Sequence, residues 1–195
     1  RQQWALNFQL CHFSPVPVIK TLSIIDSTDK VPDAVASLLQ ASPSRCFGFD
    51  LEWKPDTSST NNPPALLQLA AEAKDRSFVV CLFTGTVLCT MCAALRNLLK
   101  KSKFIGFGTS SDISKMKYHW KFVPTITDVR KLFEYKKGLA DFASKYLSIY
   151  LDKSYQVINW WTVDLHKNHN ARTYAANDSI VPLMLNWAHS HPEET

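Results

Sequence analysis

Residues 46–53 read Cys46-Phe47-Gly48-Phe49-Asp50-Leu51-Glu52-Trp53, a mostly apolar run bounded by Ser42-Pro43-Ser44 on one side and Pro55 on the other. Such a run is typical of a central strand in a sheet. Because successive side chains of a strand point to opposite faces, Asp50 and Glu52 emerge on the same face. Two like charges projecting together from an apolar strand indicate a bound cation, a basic partner or a strand end exposed to water.

Around this strand the sequence predicts an alternation of strands and helices. Further strands are expected at residues 22–25, 65–69, 77–82, 104–107 and 124–128. Helices are expected at residues 31–40, 87–100, 111–120, 139–147 and 170–189. The strands at 65–69 and 77–82 are joined by a polar turn, so we expect them to pair antiparallel. Three strands followed by alternating helices and strands indicate an α/β domain with a mixed central sheet.

The chain has 195 residues, of which 46% are hydrophobic, enough for one globular domain. We divide it into an N-terminal arm or edge segment at 1–19, the domain at 20–190 and a polar tail at 191–195. No run of about 18 apolar residues predicts a membrane span, so no membrane partner is expected. The chain starts without Met, which leaves room for further domains or protein partners outside this segment.

Charge and cysteine content indicate the partner and the compartment. The net charge of +5 suits a polyanionic partner such as nucleic acid, because Lys and Arg neutralise phosphates. The five cysteines form an odd set, mostly inside apolar runs, which favours a reducing compartment and hence an intracellular location, in the nucleus or cytoplasm.

Three more candidate site residues lie in later elements. Asp112 follows the strand at 104–107 at the start of a helix, where an acid that interacts with the helix dipole is the alternative interpretation. Tyr174 and Asp178 are spaced i, i+4 on the last helix, where a core tyrosine beside a solvated aspartate is the alternative. Together with Asp50 and Glu52 these acids could meet at one sheet edge. Hard cations such as Mg²⁺ and Mn²⁺ bind carboxylates, and two of them about 4 Å apart clamp a phosphodiester.

Several stretches, taken in order, carry a family resemblance. They are residues 46–53, Ala65-Leu66-Leu67-Gln68-Leu69, Ile105-Gly106-Phe107-Gly108 leading to Asp112, Leu151-Asp152-Lys153-Ser154, and Tyr174-Ala175-Ala176-Asn177-Asp178. In these motifs the chain resembles the DEDD exonucleases of the ribonuclease H-like superfamily, over roughly residues 20–190. Within that superfamily it is similar to the branch with a tyrosine in the third motif, which includes the Werner syndrome protein's exonuclease domain and ribonuclease D.

The resemblance implies a mixed five-stranded sheet flanked by helices and a 3′-5′ exonuclease that releases nucleoside 5′-monophosphates from DNA or RNA. It also implies two divalent cations, Mg²⁺ or Mn²⁺. Asp50, Glu52 and Asp178 would hold the first cation, and Asp50 with Asp112 would reach the second. Tyr174 would hydrogen-bond the attacking water. Residues that would pack against the terminal base or sugar, with a place in the core as the alternative, are Leu51, Trp53 and Phe107.

Basic side chains near these motifs are candidates for phosphate contact. They are Lys115 near Asp112, and His166 and His169 shortly before Tyr174. Solvated helix faces carry the same residue types, so that interpretation stays open beside the phosphate contact.

Two features of the sequence depart from the family pattern. Gly108-Thr109-Ser110-Ser111 stands where ribonuclease D-like members often carry an Asn, which favours the Werner-like branch. Pro182 removes the backbone hydrogen bond to the Asp178 carbonyl and is expected to kink the last helix beside the site. The alternative function is therefore a catalytically weak or inactive nucleic-acid-binding scaffold with the same fold.

Two weaker motifs point to other chemistry. Gly106-x-Gly108 after a strand suggests a dinucleotide-binding turn in a small-molecule enzyme, but the third glycine of that motif is missing. Cys89 and Cys92 have zinc-like spacing, but they lie in an apolar helix pattern with no second pair, which favours buried thiols.

Overall fold

The computed structural model describes residues 18–156 and 158–192. The predicted arm at 1–19 therefore lies outside the described residues except for its last two, and Ile19 already belongs to the first strand. Of the predicted tail at 191–195, only residues 191 and 192 are described.

Six strands form one mixed sheet in the order β1-β4-β3-β2-β5-β6. Their bounds are β1 Ile19–Ile25, β2 Cys46–Trp53, β3 Pro64–Glu72, β4 Phe78–Thr84, β5 Lys103–Gly106 and β6 Thr125–Asp128. β3 is antiparallel to both β2 and β4, whereas β1 is parallel to β4 and β5 is parallel to both β2 and β6. The α/β class with a mixed sheet is confirmed.

The sheet has six strands instead of the five that the resemblance implies. The pattern in the sequence predicted six, and the first of them, at 22–25, is part of β1, which pairs with β4 from Ile19 to Ile25 and covers what would otherwise be an edge of unpaired backbone groups. Burial of Ile25 against the core favours this pairing.

Six α-helices and two short 3₁₀ helices, Thr28–Lys30 and Val129–Leu132, accompany the sheet in the described part of the chain. The α-helices are the longer elements. They are α1 Val31–Ala41, α2 Gly85–Thr90, α3 Ala93–Lys101, α4 Ser110–His119, α5 Leu139–Leu147 and α6 His169–Ser190. The single helix predicted at 87–100 is corrected to two, α2 and α3. Met91 adopts a left-handed conformation with φ of 39°, and its N–H donates to the Val87 carbonyl, which ends α2. The bend lets both short helices bury leucines in one core.

The sheet separates two apolar cores. One core packs β-strand side chains against α1, α2, α3 and α4, and the other packs them against α5 and α6. Along β2, the side chains of Phe47, Phe49 and Leu51 enter the first core. The alternate residues of β2, among them Asp50 and Glu52, therefore face α6, as the strand period requires.

Gly48 allows α6 to lie directly on this face of β2. A Cβ atom at Gly48 would collide with the backbone carbonyl oxygen of Ser179, the residue after Asp178. The missing side chain thus permits the close approach that brings Asp178 beside the β2 acids.

α6 runs from His169 to Ser190 without a break, although Pro182 lies inside it. Asp178 nevertheless lies within 4.8 Å of Asp50 and Glu52, so Pro182 does not carry it away from β2. None of the helices described here has the length and apolar character that crossing a membrane requires.

Candidate active site

Three carboxylates meet where the end of β2 faces α6. Asp50 and Glu52 project from β2 and Asp178 from α6, and one oxygen of each lies within 4.8 Å of the others. Asp50 and Glu52 are half-buried and Asp178 is buried. The strand period and the helix position predicted this convergence, and the close β2–α6 packing at Gly48 achieves it.

The cluster is electrostatically costly without a cation. Burial, followed by the charges of Glu52 and Asp178, holds the pKa of Asp50 well above its usual range. Burial, followed by the charge of Asp178, raises the pKa of Glu52 to about 9, and burial also raises that of Asp178. Like charges and burial both disfavour ionisation. Three closely spaced carboxylates are also the oxygen ligands that hard divalent cations prefer, so the donor set fits Mg²⁺ or Mn²⁺.

Asp112 lies beside this cluster but outside its 4.8 Å grouping. It is buried in the first turn of α4, and its charge raises the pKa of both Asp50 and Glu52. Burial and the charge of Asp128 raise its own pKa to about 7. Asp112 is therefore close enough to act on the cluster electrostatically.

Tyr174 stands one helical turn before Asp178 and is packed between two aromatic rings. Its ring centroid is 6.0 Å from that of Tyr155 and 5.8 Å from that of Trp160. Burial, followed by the charges of Asp178 and Glu52, raises the pKa of the Tyr174 phenol. The phenol therefore stays protonated at neutral pH and can donate a hydrogen bond in the site.

Two residues complete the cluster without having been singled out in the sequence. Lys153 Nζ donates to Asp178 Oδ1 at 3.1 Å and lies 5.2 Å from the centroid of the Tyr174 ring. Gln68, directly opposite Asp50 in the β2–β3 register, donates its side-chain N–H to Asp50 Oδ2 at 3.4 Å. Both lie in stretches that carry the family resemblance, which is the signal that could have found them.

A cleft of about 630 Å³ opens over the carboxylates. Its lining includes the three clustered acids, Tyr174 and Lys153, and the three residues expected to meet the base or sugar: Leu51, Trp53 and Phe107. Its size is within the usual range for ligand pockets. A second basic residue in the lining, Arg130, was missed in the sequence.

Lys115, His166 and His169 do not line this cleft. The Lys115 ammonium is buried and donates to both carboxylate oxygens of Asp56, at 2.6 and 2.7 Å, and also to Asn61 and to the Asn62 carbonyl. Hydrogen-bond acceptors in the loop at 54–63 surround the Lys115 ammonium, so Lys115 stabilises this loop, which follows β2. The phosphate contact predicted for Lys115 therefore has no support in its geometry.

The two histidines are exposed and have partners elsewhere. His166 Nε2 lies 2.9 Å from Asp26 Oδ2, and His169 Nδ1 lies 3.4 Å from an Arg172 nitrogen. Their predicted phosphate contacts stay predictions.

Comparisons with known proteins agree with this geometry. A family model described as 3′-5′ exonuclease matches residues 22–186. No curated protein matches the chain in sequence.

Solved structures with the same fold include three nucleases. Ribonuclease D of Trypanosoma brucei in complex with RNA U12 is 20% identical with a TM-score of 0.70, over 86% of this chain and 62% of that one. The catalytic core of RRP6 from the same organism is 17% identical with a TM-score of 0.71, over 95% and 50%. Brucella melitensis NrnC bound to pGG is 16% identical with a TM-score of 0.63, over 90% and 81%. The chain thus spans less than two thirds of the ribonuclease D and RRP6 structures.

Proposed function

Because the chain belongs to the 3′-5′ exonuclease family, we propose that it hydrolyses phosphodiester bonds from the 3′ end of a nucleic-acid strand and releases nucleoside 5′-monophosphates. The observation that carries the proposal is the meeting of Asp50, Glu52 and Asp178 within 4.8 Å, with Asp112 close enough to affect them. Three clustered carboxylates in the lining of a cleft, with a fourth acid buried nearby, suit metal-assisted phosphodiester hydrolysis.

The acids divide between two cation positions in this proposal. Asp50, Glu52 and Asp178 hold one Mg²⁺ or Mn²⁺, and Asp50 with Asp112 holds the second. When bound, the two cations would lower the pKa of a water molecule and offset negative charge on the phosphate. Gln68 keeps Asp50 oriented through its side-chain N–H.

Tyr174 and Lys153 serve the attacking water and the charge balance of the site. The Tyr174 phenol, held neutral by burial and by the neighbouring acids, hydrogen-bonds the water and orients it. The Lys153 ammonium lowers the pKa of Asp178 by its charge and its hydrogen bond, and so keeps that carboxylate available as a ligand. Tyr174 thus orders the water, and Lys153 favours the ionised form of Asp178.

The cleft walls suit the end of a single strand. Trp53 and Phe107 are aromatic, half-buried and face the cleft, so a terminal base can stack on them. The ribonuclease D and NrnC structures that share this fold were solved with RNA U12 and with pGG, which supports single-stranded or frayed ends as the substrate. Both RNA and DNA are included in the proposal.

The free thiols fit an intracellular enzyme. Each cysteine in the described part of the chain is unpaired: Cys46, Cys81, Cys89 and Cys92. This agrees with a reducing compartment, and a location in the nucleus or cytoplasm stays a prediction.

The test is hydrolysis of 5′-fluorescein-labelled single-stranded 20-nucleotide RNA and DNA with Mg²⁺ or Mn²⁺. We expect a ladder that shortens from the 3′ end, and a loss of rate of about 10²-fold or more in Asp50→Asn, comparable to removal of one strong electrostatic group. Asp33→Asn, at an exposed acid in the first turn of α1, is the matched control and should retain the rate. Equal cleavage by wild type and Asp50→Asn would refute the assignment.

The second candidate, a nucleic-acid-binding domain without turnover, rests on Pro182 alone, and the place of Asp178 in the carboxylate cluster favours the enzyme over it. Pro182 removes the N–H that would bond the Asp178 carbonyl one turn earlier in α6. Oligonucleotide binding by wild type without cleavage under either metal would support this candidate over the enzyme.

A further inference from the structure

Arg130 extends into the cleft from the turn that follows β6. Its guanidinium carbon lies 5.8 Å from the centroid of the Phe107 ring, and a Cβ atom added at Gly108 would lie 3.7 Å from that carbon. The backbone N–H groups of Gly108 and Arg130 both donate to Asp128 Oδ1, at 2.8 and 3.1 Å, which fixes the turn beneath the side chain. The position of the guanidinium is therefore determined by packing on one side, and its other side faces the cleft.

The charge of Arg130 is only loosely compensated. Its ion-pair partner, Asp128, lies 3.8 Å away, and that carboxylate already accepts two backbone hydrogen bonds. The Arg130 side chain is 43% exposed. The other basic residue in the cleft lining, Lys153, differs in this respect because it donates directly to Asp178. Arg130 is thus the lining cation that is free to meet an anion from solvent.

The segment at 129–138 continues this positive charge away from the cleft. It carries Arg130, Lys131, Lys136 and Lys137 against one acid, Glu134, and all four basic side chains are exposed. Its last residue, Gly138, leads directly into α5, whose first residues also line the cleft. We call residues 129–138 the basic segment.

A phosphodiester undergoing hydrolysis must lie at the carboxylates, and Arg130 makes no ion pair with any of them. Because the cations at the carboxylates would already neutralise that phosphate, Arg130 is left for a neighbouring phosphate of the strand. A strand whose 3′ end lies in the cleft has its remaining phosphates on the 5′ side of the cleaved bond. Backbone phosphates of this kind are contacted by arginine and lysine without regard to base sequence.

We propose that the basic segment binds the backbone of the substrate strand upstream of the cleaved bond, with Arg130 contacting the first such phosphate inside the cleft. The proposal rests on the proposed exonuclease function for the direction of the strand. Arg130 is thereby assigned to substrate binding. Loss of the Arg130 side chain should weaken the affinity for a strand more than it slows hydrolysis at the terminal phosphate.

Binding is measured with a 5′-fluorescein-labelled ten-nucleotide oligo-dT, by fluorescence anisotropy over a salt series, with Ca²⁺ as the oxygen-preferring divalent cation. Arg130→Gln should raise the Kd by about 5- to 20-fold and reduce the salt slope by about 1, as expected for the loss of one phosphate contact. Lys136→Gln with Lys137→Gln, at two exposed positions, should shift the Kd and the slope in the same direction.

Arg96→Gln is the matched control. Arg96 lies on α3, its guanidinium carbon 5.0 Å from the centroid of the Phe122 ring, and it does not line the cleft. Arg96→Gln removes the same charge as Arg130→Gln. If Arg96 acts on the strand only through long-range electrostatics, this substitution should change the Kd by less than about twofold. Equal Kd values and salt slopes for Arg130→Gln and Arg96→Gln would overturn the proposal.

A kinetic comparison separates strand binding from chemistry. The p-nitrophenyl ester of thymidine 5′-monophosphate has one phosphate and no upstream backbone. Arg130→Gln should lower kcat/KM on the oligonucleotide at least about fivefold more than on this ester, mainly through KM, because the lost contact is absent from the ester. Equal losses on both substrates would overturn the proposal.

The binding and kinetic measurements together distinguish the role of Arg130 in strand binding from the proposed exonuclease activity. If wild type hydrolyses neither substrate, the exonuclease proposal fails, while the anisotropy measurement still decides whether Arg130 binds the strand.

Discussion

Gln68 and Asp50 stand directly opposite each other in the antiparallel β2–β3 pair, with Gln68 Nε2 3.4 Å from Asp50 Oδ2. Gln68 is completely buried, and its Oε1 has no hydrogen-bond partner among the described residues. An amide buried in a sheet at the cost of an unsatisfied oxygen calls for a compensating contact, which Asp50 provides.

The contact between Gln68 and Asp50 can be tested by two substitutions. Gln68→Glu adds a buried carboxylate beside an acid whose pKa is already raised, so we expect it to lower the free energy of unfolding by about 2–4 kcal/mol at pH 8. Gln68→Leu removes the donor and the unsatisfied oxygen together, so the change should stay within about 1 kcal/mol. Urea unfolding of the metal-free protein measures both. Equal losses in the two variants would contradict a charge-based role.

Lys153 should set the pH at which the site becomes active. Its charge lowers the pKa of Asp50, Glu52 and Asp178, so Lys153→Met raises these values. Metal ligands must be deprotonated, and the acidic limb of kcat/KM should therefore move to higher pH at fixed Mn²⁺.

The pH profile of Lys153→Arg should remain near that of wild type, because the positive charge is kept. Lys145→Met is the control for a lost lysine elsewhere, since Lys145 lies over the Tyr135 ring outside the cleft lining. An unshifted acidic limb in Lys153→Met would show that Lys153 does not act through charge.

The metal-free protein should lose stability as the pH rises. The folded-state pKa of Glu52 is about 9, whereas its ordinary value is 4.5. Between these values the native state retains a proton that the unfolded chain has released, so the free energy of unfolding falls as the pH increases from about 4.5 to 9. Thermal unfolding with a chelator at pH 5, 7 and 9 should show a falling Tm. Mn²⁺ should raise Tm most at pH 9, where proton competition is weakest.

Glu52→Gln removes one of the titrating groups and should make this pH dependence weaker, while Asp50, Asp112 and Asp178, whose pKa values are also raised, keep part of it. A Tm of the metal-free protein that rises from pH 5 to 9 would contradict the burial-driven pKa shift.

The approach of α6 to β2 should depend on Gly48. Gly48→Ala places a methyl group against the Ser179 carbonyl, so α6 must move, and we expect a loss of about 2–4 kcal/mol in the free energy of unfolding. Gly138→Ala is the matched control, because a Cβ there meets nothing closer than Asp141 Oδ2 at 3.7 Å. Similar unfolding midpoints for the two alanine variants would refute the close-contact argument.

Local patterns in the sequence were enough to predict most of the strands and helices and the placement of part of the site. The period of 2 along residues 46–53 placed Asp50 and Glu52 on one face, and the spacing of Leu139, Phe142, Ala143 and Leu147 predicted α5 at the bounds that the structure has. The i, i+4 spacing placed Tyr174 one turn from Asp178. These features depend on backbone geometry over a few residues, which residue order alone specifies.

Contacts between segments far apart in the chain could not be predicted from such local patterns. Lys153 reaches Asp178 across 25 positions, and Lys115 reaches Asp56 across 59. The periodicity of either segment says nothing of such a partner, so Lys115 was assigned to phosphate and Lys153 was not singled out. The division of one predicted helix into α2 and α3 at Met91 likewise follows from packing of both pieces into one core.

The sequence by itself determined on which faces of particular strands and helices Asp50, Glu52, Tyr174 and Asp178 lie, and that Asp112 opens a helix, because side-chain direction follows from the strand and helix periods. Only the tertiary structure decided that Asp50, Glu52 and Asp178 come within 4.8 Å, that Lys153 balances them, and that Arg130 rather than Lys115 faces the cleft. The physical reason is that these relations depend on how closely α6 packs on β2 and on how the loop at 54–63 and the turn after β6 fold over the sheet edge.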